Sequence, residues 1–139
     1  MIMSDVKIQL GAGRTAFEPG EELTGTAAWK LDKPPQSVEL RLFWFTRGQG
    51  EKDAGVVETV RFDHALREEA RPFRFRLPDG PYSFSGKVIS LIWALELVPL
   101  PSKETGRQEI TLAPGGKEVR LGSLPEPQAR KRPFPWGRR

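Results

Sequence analysis

Leu77-Pro78-Asp79-Gly80-Pro81-Tyr82-Ser83-Phe84-Ser85-Gly86-Lys87-Val88-Ile89-Ser90-Leu91-Ile92-Trp93-Ala94-Leu95-Glu96 decides how this chain is read. Pro78, Gly80 and Pro81 punctuate a corner, and Gly86 releases the chain into a long apolar segment, Lys87–Val98. Such a turn-rich corner feeding a long, strongly apolar run is how a connection ends and a central strand of a β-sandwich begins.

Outward from this stretch, apolar residues recur with a period of two, and no stretch of useful length has a helical period. Val6, Ile8 and Leu10 alternate with Lys7 and Gln9. Leu23, Gly25, Ala27, Trp29 and Leu31 alternate with Thr24, Thr26 and Lys30 until Pro34-Pro35 ends the segment, because proline cannot donate to a ladder. Ser37–Thr46 places Val38, Leu40, Leu42 and Trp44 on one face and Glu39, Arg41, Phe43 and Phe45 on the other. Arg47–Gly55 reads as a polar loop, and Val56–Phe62 as the next strand. Asp63-His64-Ala65-Leu66 is expected to form one helical turn capped by Asp63. In Pro72–Leu77, Phe73, Phe75 and Leu77 point inward and Arg74 and Arg76 outward. Arg107–Leu112 and Lys117–Leu121 are expected to pair as a hairpin around Ala113-Pro114-Gly115-Gly116. About eight short strands with turn signals between them predict an all-β, antiparallel β-sandwich.

The chain has 139 residues, enough for one domain over residues 1–122 followed by a tail over 123–139. A domain of this size buries about 68–70% of the surface of its unfolded chain and needs no metal or disulfide staple. Cysteine is absent, which excludes disulfides, thiolate nucleophiles and cysteine-ligated metal centres. Met-Ile-Met-Ser-Asp-Val-Lys has no basic region followed by an apolar stretch, so no signal peptide is expected, and a cytoplasmic location is. The apolar run Val88–Leu100 is too short to cross a bilayer as a helix. Of the net charge of +4, all is carried by residues 123–139, which hold five basic residues and one acid; residues 1–122 hold 17 of each sign.

Three motifs in order resemble the N-terminal domain of the arrestin-like superfamily, which includes the arrestins, the retromer vacuolar-sorting subunits and bacterial sporulation-control relatives. They are Phe17-Glu18-Pro19-Gly20-Glu21 followed by Gly25; Phe73-Arg74-Phe75-Arg76-Leu77-Pro78; and Pro81-x-Ser83-Phe84-x-Gly86 followed by Leu91, Trp93 and Leu95. The likeness covers residues 5–121. It implies an immunoglobulin-like sandwich and a non-enzymatic role in holding or sorting other proteins. An arrestin has two such domains and a phosphate-sensing lysine pair near its first strand; here Val6-Lys7-Ile8 offers one lysine, so phosphate sensing does not carry over.

No catalytic constellation is expected, and no cofactor or metal. His64, the only histidine, reads as a surface loop residue. Gly11-Ala12-Gly13 precedes no helix that could receive a phosphate, and no Gly-x-Ser-x-Gly elbow occurs; Ser83 and Ser85 read as turn residues. Glu51 and Asp53 supply too few oxygens for calcium. Glu21-Glu22 and Glu68-Glu69 read as solvated charge, and Glu96 as a strand-end residue paired with a surface arginine. Two features point to partners. If Trp44 and Trp93 face the core, then Phe43, Phe45, Ile92 and Ala94 face out, and on neighbouring strands they make an apolar contact patch. In the tail, Arg130, Lys131, Arg132, Arg138 and Arg139 are interleaved with Phe134 and Trp136, a pattern suited to nucleic acid, acidic lipid headgroups or an acidic protein groove. The sequence therefore predicts a protein-interaction or scaffold module with an unidentified protein partner, and a homo-oligomer as one way to protect its edges. The alternative is an adaptor that binds nucleic acid or acidic lipid through the tail.

Overall fold

The computed structural model describes residues 5–49, 52–86, 88–101, 104–116 and 119–120. The tail residues named above, Arg130 to Arg139, lie outside the described residues, as does Lys87. Among the described residues, ten strands form two layers. The smaller sheet has the order β1 (Asp5–Leu10), β3 (Glu22–Lys30), β6 (Glu68–Arg76), all antiparallel. The larger sheet is built on β8 (Ile89–Leu100), which pairs along one side with β4 (Ser37–Gly48), itself followed by β5 (Ala54–Phe62). On its other side β8 pairs first with β7 (Phe84–Ser85) and then with β9 (Gly106–Leu112). The two-residue strand β2 (Ala16–Phe17) lies parallel beside β9, and β10 (Val119–Arg120) parallel beside β7.

The alternating apolar positions close the core. Leu23, Ala27 and Trp29 of β3 and Phe73 and Phe75 of β6 meet Val38, Leu40 and Leu42 of β4 and Trp93, Leu95 and Leu97 of β8, all buried. Two findings depart from the sequence reading. The expected helical turn at Asp63–Leu66 does not form: His64 takes the left-handed region at φ 55°, and the Asp63 carboxylate accepts from Arg61 instead of capping. Of the expected terminal strand Lys117–Leu121, only residues 119–120 are described, and they pair with β7 and not with β9 as a hairpin would require. After β9 the chain makes a short 3-10 turn at Pro114–Gly116 and crosses to β7, so β10 extends the far margin of the sheet in parallel.

The three motifs come together physically. Gly20, at φ 81°, closes the Pro19-Gly20 turn, where the Glu21 N–H donates to the Glu18 carbonyl at 3.1 Å. Gly20 N–H then donates to Leu77 O at 3.1 Å, and Leu77 N–H to Glu21 O at 2.9 Å, so the first motif is stapled to the end of the second. The corner of the third is fixed by Ser83, which is buried: its N–H donates to Leu112 O at 2.7 Å and its Oγ accepts from Leu112 N–H at 2.9 Å. Ser83 is thus a clamp between the corner and β9, a role beyond turn chemistry.

One glutamate of each expected pair is more than solvated charge. Glu21 accepts from the Glu18 N–H at 2.8 Å and pairs with Arg14 at 2.6 Å. Glu69 accepts from Arg71 at 2.6 Å and from the Leu66 N–H at 2.9 Å. Arg71 lies over the Phe62 ring at 5.6 Å and donates to the Asp63 carbonyl at 3.0 Å, so it latches the margin where the chain passes from one sheet to the other. The Arg71 hydrogen bond, and after it the Leu66 N–H, hold the Glu69 carboxyl below the usual carboxylate range. A depressed folded pKa contributes stability that is complete above the ordinary carboxylate range and lost as pH falls through the depressed value. Glu69→Gln is therefore expected to be less stable than the parent in urea at neutral pH, with the gap narrowing as pH falls below the ordinary carboxylate range. An unchanged gap across that range would show that the latch does not depend on the ionised carboxylate.

Candidate interaction surface

The register of β4, β5 and β8 decides what the outer face of the large sheet presents. Phe43 lies opposite Ala94, Phe45 opposite Ile92, and Phe43 also opposite Val56 of β5. The four residues singled out in the sequence, Phe43, Phe45, Ile92 and Ala94, are thus brought side by side, and Val56 extends their row to the sheet margin. The Phe43 and Phe45 rings stack at 5.8 Å with an interplanar angle of 27°. Trp44 and Trp93 lie opposite one another on the inner side, where Gly55 leaves room for the Trp44 indole.

The face is not bare. Arg107 reaches from β9 across β8 and sets its guanidinium 5.2 Å from the Phe43 centroid and 5.3 Å from that of Phe45. Arg47 lies over Phe45 at 5.5 Å and pairs with Glu109 at 2.9 Å. Because the Arg107 side chain crosses its strand, Ala94 is fully buried, so of the four residues it alone is not accessible to a partner. Phe43, Phe45 and Ile92 are half-buried. Glu96 pairs with Arg107 at 3.5 Å, as expected of its charge, but it stands within β8, not at its end. Cation–π contacts at exposed sites contribute about 0.5–1 kcal/mol each, and exposed ion pairs about 0.2–1 kcal/mol. The canopy covers the rings with charged groups, through contacts weak enough for an incoming side chain to displace.

At the margin, β5 pairs with β4 only, among the described residues. Its register with β4 slips between Leu42 and Phe43, which leaves Val57 as an extra residue beside Val56. The two valines are 64% and 44% exposed. Sequence reasoning missed this pair, because a bulge carries no signal of its own within a run such as Ala54-Gly55-Val56-Val57.

The other sequence candidates do not assemble. His64 is exposed in its loop. Asp53 is used locally: its N–H donates to Thr46 Oγ1 and its carboxylate accepts from the Ala54 N–H; Glu51 lies outside the described residues. Among the described residues no group of three or more His, Asp or Glu side chains is placed to hold a metal. An open depression of about 410 Å³ between Leu31–Gln36 and Leu100–Pro101 contains no histidine, no hydroxyl and a single acid.

Among solved structures, the chain is similar to the crystal structure of Spo0M, a sporulation control protein from Bacillus subtilis, with a TM-score of 0.55 over 81% of this chain at 20% identity. The fold is arrestin-like. This agrees with the motif resemblance and with the all-β sandwich read from the alternation. The chain spans half of the Spo0M chain it matches. No family model matches the sequence, and no curated protein matches it. Among the described residues, no helix is long and apolar enough to cross a membrane.

Proposed function

We propose that this arrestin-like domain is a non-enzymatic protein-interaction module that takes an extended segment of a partner along β5. Added strands gain main-chain hydrogen bonds from an open sheet edge and specificity from side chains on alternate faces. The observation that carries the reading is the union of a nine-residue strand that, among the described residues, pairs on one side only with the apolar row Val56, Phe43, Phe45 and Ile92 that begins at it. A segment lying beside β5 would turn every second side chain toward that row, where Arg107 and Arg47 can move aside. The bulge at Val57 and the charge of Glu58 blunt the edge against indiscriminate pairing, which favours recognition of a complementary sequence.

The test is affinity capture with the tagged full chain, a Val56→Lys/Val57→Lys variant and a chain truncated at Gly122. Protein partners are expected to be retained by the truncated chain and lost by the lysine variant. Retention by the lysine variant with loss on truncation would refute the edge reading and favour polyanion binding through the basic tail. That mode would also show steep salt dependence.

A further inference from the structure

We infer that a second copy of this chain occupies β5, the two strands running antiparallel about a two-fold axis at Thr59. The inference rests on the reading of β5 as a docking edge and names the occupant. Among the described residues, two other margins of the sandwich are less open to strand addition. β6 carries Pro72, which has no N–H, between the charges of Glu68, Arg74 and Arg76. β1 is approached by the start of β9 so closely that a Cβ on Gly106 would stand 2.5 Å from the Val6 carbonyl oxygen. β5 offers nine residues and two bare valines.

The charges on β5 narrow the choice of register. A two-fold axis perpendicular to the sheet keeps outer face with outer face, so the strand must pair with itself about one of its own residues. Centring on Glu58 would set two glutamates directly opposite, and centring on Arg61 two arginines; like charges opposed in this way are destabilising. Centring on Val60 would set Glu58 against the buried Phe62 ring and Val57 against Asp63. Centring on Thr59 opposes threonine to threonine, a favourable cross-strand pair. It also lays each Arg61 stem across the exposed Val57 of the other copy, covering the valine while the guanidinium stays in water. This register sets each Val56 beside Phe62 of the other copy, so the two apolar rows share the outer face but lie about 20 Å apart along the seam. Residues 1–122 carry no net charge, so no long-range repulsion opposes the approach.

The chain has no cysteine, which makes the test direct. In an antiparallel pair, opposed Cα atoms are about 4.5–5.5 Å apart, within disulfide reach. Full-length Thr59→Cys is expected to form a disulfide-linked dimer under mild oxidation well ahead of Val88→Cys, an equally simple change at a residue 59% exposed but away from β5. Sedimentation of the cysteine-free parent should show a concentration-dependent dimer. Val57→Glu, facing Arg61 of the second copy, should tighten it, and Val57→Lys should weaken it, the two dissociation constants lying about threefold to tenfold apart. Equal cross-linking of the two cysteine variants, a parent that stays monomeric to near-millimolar concentration, or shifts of the same sign for both Val57 variants would overturn the inference. A monomeric parent whose foreign partner is still lost with Val56→Lys/Val57→Lys would overturn the second copy alone and leave the docking edge standing.

Discussion

Trp93→Ala is expected to destabilise the domain by about 3–5 kcal/mol, the range for deleting a fully buried aromatic side chain. Trp93 is fully buried at the middle of β8, between Trp44 of β4 and Ile110 of β9 in the register. Its Nε1–H donates to the Pro81 carbonyl at 2.7 Å. The substitution therefore opens a cavity between the sheets and also strips the corner of a hydrogen bond. Domains are stable by only about 5–15 kcal/mol, so the change removes a large share of the total. Trp93→Phe keeps most of the ring and loses the donor, so it should cost about 1–3 kcal/mol. Urea unfolding followed by far-ultraviolet circular dichroism, which does not depend on the removed indole, measures both. A loss of less than 1 kcal/mol for the alanine variant would mean that the indole is not the keystone of the large sheet.

Gly25→Ala is the second large effect, from the addition of a single methyl group. A Cβ at this position would stand 2.5 Å from the Gln9 carbonyl oxygen and 2.7 Å from Cζ of Phe73. Gln9 belongs to β1 and Phe73 to β6, so β3 is held between two neighbours that cannot both retreat. Overpacking of this kind costs about 1–3 kcal/mol, and more where backbone is the obstacle. Truncating the ring supplies the internal control. In a double-mutant cycle, Phe73→Leu should cost less in the Gly25→Ala background than in the parent, because the smaller side chain frees the space that the methyl group needs. Strictly additive losses in thermal melts would place the strain elsewhere. The glycine that follows the first motif is thus explained by crowding among three strands and not by a turn.

The strands that alternate over five or more residues were legible from the residues alone, since burying one face of a sheet leaves little freedom in which residues point inward. β2, β7 and β10 were not, because two residues have no period; each exists through a long-range partner. The hairpin expected at Ala113–Gly116 failed for a related reason. Proline and glycine mark a turn but not the strand to which the chain is delivered; here the Ala113 N–H is taken by Phe17 O in continuation of the β2–β9 pairing, and residues 119–120 pair with β7. At Asp63–Leu66, a local capping pattern lost to the Arg71 latch, whose guanidinium binds the Asp63 carbonyl. The outer aromatic row followed from alternation once β4 and β8 proved to be neighbours. The burial of Ala94 did not, since Arg107 arrives from a third strand and its direction depends on register.

The parallel pairing of Ala16 with Thr111 and of Phe17 with Leu112 sets an order on assembly. During synthesis at about 5–20 residues per second, β2 must wait for a partner made about ninety residues later. β1 and β3 can zip up early as a local ladder, while the apolar Phe17 stays uncovered for seconds. Nascent chains halted before Leu112 should therefore engage chaperones and yield to proteases near Phe17, and release of a few more residues should confer resistance abruptly.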